Sequence, residues 1–291
     1  MTSSVRNRVP APALFVVGAL SMYVGAALAV GLFTRLSPSA VAMLRMLGAA
    51  AVLLAWRRPG RSAWRGPRFR QAVALGLATA LMNVTFYEAI ARLPLGTAVA
   101  IEFCGPVAVA AVASRGARDL GAVVLAAAGV LLIADVRWSG GPAGVLWALG
   151  AAALWATYIL LSKRVARSGN GLDDLAVGFS VAAVALSPLL VLGGQAGPGA
   201  LLHPAVLLLG LGVGVLASVV PYVLDQVVLR RLGRARFAVL LALLPATATV
   251  VGLVGLGQIP GVQETVGIAA VILAVALRSR EGDEPAAVGG V

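Results

Sequence analysis

Charge, aromatic rings, cysteine and histidine are all scarce in this chain. Only 12% of its 291 residues are Asp, Glu, Lys or Arg, where a soluble domain usually carries about 25%. Aromatics are 5%, so the apolar mass of the chain lies in smaller residues. The one cysteine, Cys104, excludes a disulfide framework within the chain and any thiolate-built metal centre. The one histidine, His203, cannot build a His-based site alone, and with Pro204 directly after it reads as part of an interfacial loop. Paired aspartates, a Ser/His dyad and a zinc motif are missing, which argues against an intramembrane protease. Gly210-x-Gly212-x-Gly214 has no strand before it, so it reads as packing glycine and not as a dinucleotide loop. The expectation is a protein that is not an enzyme and holds no cofactor and no metal.

What the chain has instead is hydrocarbon. Hydrophobic residues make up 60% of it and the mean hydropathy is +0.97. The apolar mass is Ala, Leu, Val and Gly, small residues that let helices pack closely in lipid. Runs of about 20 apolar residues cross a bilayer as helices. Ten are expected, at roughly 12–33, 39–56, 70–91, 95–114, 118–134, 142–162, 172–192, 204–229, 236–257 and 262–279. Short linkers marked by Pro, Gly or Arg separate them, such as Ser37-Pro38, Pro94, Gly193-Gly194 and Pro260-Gly261. The first run follows Arg6 and Arg8 and contains Ala27-Leu28-Ala29, the pattern of a signal peptide. It continues to about Phe33, however, which is spanning length, and it is read as a retained helix. The last stretch, 280–291, reads as a disordered cytoplasmic tail.

The basic residues set an orientation. A net charge of +12 would point to nucleic acid only if it formed a patch on a soluble fold. Of the 23 Lys and Arg residues, 19 fall on alternate loops and on the terminal flanks. Arg35, Arg92 and Arg137 fall on the other loops, and Arg45 lies within a span. Basic loops stay cytoplasmic, so both termini are expected inside and no nucleic acid is expected as a partner.

A shift of 139 residues lays Arg92-Leu93 on Arg231-Leu232 and Pro106 on Pro245, and sets Asn83 and Tyr87 against Tyr222 and Gln226. Identity is low, with five matches over residues 81–113. The Arg92 turn falls outside and the Arg231 turn inside, as two five-helix halves in opposite orientation require. The expected fold is therefore an all-α membrane protein of ten transmembrane helices in two inverted repeats, 12–134 and 142–279.

Polar residues in hydrocarbon are costly and mark paths or sites. Asn83 and Tyr87, four apart, share a face of the third span, while Tyr222, Asp225 and Gln226 lie together on the eighth. Glu102 lies about seven residues from the outer end, roughly 10 Å deep at 1.5 Å per residue. Removing a carboxyl group from water disfavours its charged form, which suits reversible protonation. Its alternative is a structural pairing, with Arg45 as the partner. Arg45 either snorkels to the outer interface or recognises a carboxylate. Glu88 reads as a rim residue, and Asp225 either pairs with Arg230 or Arg231 or meets substrate. Pro106 and Pro245 free backbone carbonyls inside helices and favour a shared hinge or site.

The stretch Pro94 to Pro106 carries the pattern PLG-x-AVA-x-EF-x-GP. With Leu44-Arg45, Leu154-Trp155-Ala156-x-Tyr158-Ile159-Leu160 and Pro221-Tyr222, it resembles the EamA-domain exporters of the drug/metabolite transporter superfamily, in the threonine/homoserine efflux branch. The resemblance covers residues 12–279. It implies a ten-helix inner-membrane protein exporting small metabolites, amino acids in this branch, by proton antiport. Two departures stand out. The family's Gly-Glu pair before the last helix is Gly257-Gln258 here, and the usual Glu near the eighth-span motif is Asp225.

The functional expectation is an exporter in which Glu102 takes up the proton. Arg45, Asn83, Tyr87, Pro106, Tyr222, Asp225, Gln226 and Pro245 would shape the substrate site. Expected partners are the amino acid, protons and membrane lipid, with a homodimer left open. A drug exporter of the same superfamily and a scaffold without transport activity are the alternatives.

Overall fold

A computed structural model describes residues 9–113, 117–138, 142–165, 171–192 and 203–279. The side chains of some helical residues, Gln226 among them, also lie outside the described residues, as does the 280–291 tail. In the first half the helices are α1 (Ala11–Leu32), α2 (Pro38–Arg57), α3 (Gly66–Ile90), α4 (Leu95–Glu102), α5 (Cys104–Ala113) and α6 (Ala117–Trp138). The second half holds α7 (Ala143–Val165), α8 (Gly171–Ala185), α9 (Leu189–Leu192), α10 (Pro204–Gly214), α11 (Val220–Leu241), α12 (Leu243–Leu256) and α13 (Val262–Ser279). A π-helical turn, Val215–Val219, joins α10 to α11.

Prolines that mark linkers in the sequence start helices in the structure, where a missing N–H costs nothing. Ser37 caps α2 by accepting the Ala40 amide at 3.2 Å, and His203 caps α10 by accepting the Ala205 amide at 3.3 Å. Gly257 ends α12 with φ +65°, a conformation that favours glycine.

Among the described residues, five helical stretches are long and apolar enough to cross a membrane: Ala11–Leu32, Pro38–Arg57, Gly66–Ile90, Ala143–Ser162 and Pro204–Asp225. Four shorter apolar helices accompany them. Several expected spans are thus interrupted, each for a local reason. The fourth divides at Phe103, three residues before Pro106, and the ninth at Ala242, three residues before Pro245. Residues 186–188 form a turn between α8 and α9, where Pro188 removes an amide. The basic stretch around Arg231, expected as a loop, is instead helical within α11. Leu and Arg are good helix formers, and this stretch contains no proline.

Packing pairs each half with the other. α1 lies on α10, α11 and α12, while α7 lies on α3, α4 and α5. α2 packs on α8 and α10, α3 on α8, α4 on α12, and α6 on α13. Glycine makes the tightest crossings. At Gly76 against Gly178 there is no room for a Cβ, and a Cβ on Gly214 would lie 2.7 Å from Arg45 O and Ala49 N. Gly210 meets Leu44 in the same crossing, and Gly129 faces Gly267 between α6 and α13. The Gly210 and Gly214 pair is packing glycine, as small residues between membrane helices usually are.

Candidate functional site

The site begins with a missing hydrogen. In α-helical register the carbonyl of Ala217 would face the amide of residue 221, and in π register that of Leu216 would face the same atom. Residue 221 is proline and has no N–H. Both carbonyls are taken by the other half of the protein. Ser21 Oγ on α1 donates to Leu216 O at 2.8 Å. Arg45 Nη2 on α2 donates to Ala217 O at 2.8 Å, and Arg45 Nε to Ser218 Oγ at 2.9 Å. A single-turn π bulge of this kind recurs at functional sites, because it re-aims the backbone locally.

Arg45 is buried, and Cζ lies 5.6 Å from the centroid of the Tyr87 ring, within cation–π range. It does not snorkel to an interface. It forms no ion pair with Glu102 or any other acid among the described residues, so its positive charge is held by neutral oxygens and an aromatic face. Tyr87 is fully buried, and its hydroxyl finds no hydrogen-bond partner among the described residues. Leaving such a group unpaired costs about 1–3 kcal/mol.

Glu102 closes α4 and is buried. Neither its carboxylate nor the Asn83 amide makes a hydrogen bond to a described side chain or backbone group. Glu102 and Asp225 both lie within electrostatic reach of Tyr23 on α1, and Asp225 also of Tyr158 and Tyr222. Asp225 forms no ion pair among the described residues; Arg231 donates instead to Val9 O at 2.9 Å. Aromatic edges wall the cluster: Phe103 against Trp155 at 4.7 Å, and Phe179 against Tyr222 at 5.9 Å between centroids.

Of the sequence candidates, Arg45 and Tyr87 meet directly, with Asn83 one turn before Tyr87 on α3 and Glu102 within electrostatic reach of Arg45. Tyr222 and Asp225 follow the π turn on α11, with Tyr222 within electrostatic reach of Arg45. Pro106 and Pro245 stand three residues after the breaks at Phe103 and Ala242. The side chain of Gln226 lies outside the described residues. Glu88 is a structural rim residue: it accepts from Ser39 Oγ at 2.5 Å and pairs with Arg92 at 2.7 Å.

Sequence reasoning missed Tyr23, Ser21, Ser218 and a second polar group at the start of α4. There Gln258 Oε1 accepts the Leu95 amide at 2.8 Å, and Glu264 Oε1 accepts from Thr97 Oγ1 at 3.0 Å. Glu264 Oε2 also takes the Gly261 amide at 3.2 Å. A hydroxyl within an apolar span was the available signal for the first three. The Gln258 and Glu264 contacts bridge more than 160 positions, beyond any local pattern.

A helical membrane protein whose buried, unpaired polar groups meet where its helices break has the build of a transporter. The chain belongs to the EamA-like transporter family, as its motifs imply, with residues 142–280 matching that family. It is 37% identical over 247 residues to the threonine/homoserine exporter RhtA of Salmonella typhimurium (strain SL1344), covering 84% of this chain and 82% of that protein. To the protein of the same name from Escherichia coli (strain K12) it is 36% identical over 248 residues, covering 84% and 83%. A crystal structure with 19% sequence identity covers 94% of this chain and 99% of its own, with a TM-score of 0.63, and shares the fold.

Proposed function

We propose that this protein exports amino acids of the threonine/homoserine type across the bacterial inner membrane by alternating access, in exchange for protons. The observation that carries this reading is Arg45: a buried guanidinium in a membrane protein that forms no ion pair among the described residues. A buried charge without a counter-ion is costly, and the carboxylate of an amino acid is the counter-ion such a site calls for. The names of the relatives point to the same substrates. Glu102 then has two exclusive partners, the ammonium of the substrate or a proton. Opened inward, its carboxylate takes the ammonium while Arg45 takes the substrate carboxylate. Opened outward, the amino acid leaves and a proton replaces it on Glu102, to be released on the next inward opening. Asn83, Tyr87, Tyr222 and Asp225 shape the cavity around the substrate.

Alternating access is supported by an inverted repeat of residues 12–134 and 142–279. The breaks at Phe103 and Ala242 are separated by the same 139 residues as the prolines that follow them. Helix partners also exchange between halves, α1 with α11 as α7 with α3, and α2 with α10 as α8 with α3. The distribution of basic residues supports cytoplasmic termini.

The test is uptake of radiolabelled threonine, homoserine and a cationic dye into proteoliposomes under an imposed pH gradient. Gradient-driven movement of the two amino acids and none of the dye is expected, because an unpaired guanidinium repels cations. Dye transport without amino-acid transport would overturn the reading.

A further inference from the structure

α4 is only eight residues long, and all eight are buried. One end carries Glu102 next to the break at Phe103. The opposite end starts at Pro94 and is held by the segment joining α12 to α13. A helix start leaves amides without partners, and Gln258 Oε1 takes that of Leu95 at 2.8 Å. Two residues along, Thr97 Oγ1 donates to Glu264 Oε1 at 3.0 Å. Glu264 is itself fixed, because its second oxygen accepts the Gly261 amide at 3.2 Å. This is the return half of a capping box, in which the third residue of a helix ties down its own entry. Gly96 lies so close to Thr249 that a Cβ would not fit, so the start of α4 cannot slide there without loss of packing.

We infer that Gln258 and Glu264 are positioning residues that act on Glu102 through α4. A helix of this length moves as one rigid piece, so its start and its last residue are coupled. With the start held, Glu102 is presented to the cluster containing Arg45; with the start released, α4 turns about Phe103 and carries the carboxylate away. The departure at Gln258 then has a physical reading. The contact needs an acceptor for a neutral amide, which Gln supplies as well as Glu, and the carboxylate beside it is Glu264. The inference rests on Glu102 as the coupling group, but its test does not require transport.

The lone thiol, Cys104, lies two residues beyond Glu102 at the break and reports on movement there. Its alkylation by a maleimide is followed in detergent-solubilised full-length protein, alongside the melting temperature. Gln258→Ala and Thr97→Val, each removing one hydrogen bond, are expected to raise the labelling rate about fivefold, the equivalent of roughly 1 kcal/mol. Gln258→Glu keeps an acceptor and is expected to label like the native protein. In proteoliposomes the first two are expected to lower the maximal export rate, with KM changed less than twofold. Thr97→Val is nearly isosteric and keeps the test decisive if Gln258→Ala melts early. Native labelling rates in both well-folded variants would overturn the inference, as would Gln258→Glu labelling as fast as Gln258→Ala.

Discussion

Two helices of this bundle are broken in the same way, and only one carries an acid at the break. Phe103 and Ala242 each stand three residues before a proline, 139 positions apart. The residue before the first break is Glu102; before the second it is Leu241. Repetition here extends to the backbone device and not to the chemistry. The second half contributes instead through another break, the π turn at Val215–Val219, whose freed carbonyls hold Ser21 and Arg45 from the first half. The carboxylate and the guanidinium therefore stand at two different kinds of break. One carries the Glu102 carboxylate, and the other holds the Arg45 guanidinium.

That division can be broken experimentally. Arg45→Lys keeps the charge but loses the fork that reaches Ser218 and Ala217 together. Each hydrogen bond to a charged group is worth about 1.5–3 kcal/mol, so export of labelled threonine from proteoliposomes is expected to fall by about a hundredfold or more. Leu241→Glu would make the two breaks chemically alike. A lone carboxylate deep in a span costs about 2.5–3.5 kcal/mol, and a clear drop in melting temperature in detergent is expected, with no gain in gradient-driven transport. A smaller effect follows from Pro221→Ala, which returns an amide to compete for the carbonyls of Leu216 and Ala217. Loss of one hydrogen bond's worth of order, about 1 kcal/mol, should slow export about fivefold while the melting temperature stays level or rises, because alanine suits a helix better than proline.

How much of this could be read before the structure depended on how local each cause was. The apolar spans and the polar residues inside them were legible, because hydropathy is a property of a short window. The prolines at 106 and 245 pointed to a hinge or site, but the spans around them were expected unbroken, and the divisions at Phe103 and Ala242 emerged only with the structure. Arg231 misled, because a run of arginines satisfies the rule for a cytoplasmic loop and the propensity for a helix equally well. Arg45 stood out as the one basic residue in a span, but its hold on Ala217 depends on a carbonyl freed by Pro221 more than 170 residues away. The same distance hid Gln258 and Glu264, whose partners lie on α4. Sequence could identify the unusual residues; only the packing of the two halves says which of them meet.

The account turns on Glu102 as the group where proton and substrate compete. Its most direct test is Glu102→Gln in proteoliposomes, comparing threonine uptake driven by a pH gradient with threonine exchange at equal pH on both sides. The prediction is that gradient-driven uptake is lost, with the protein melting as the native one does and with exchange at equal pH retained at a reduced rate. Gradient-driven uptake at the native rate in Glu102→Gln would contradict it.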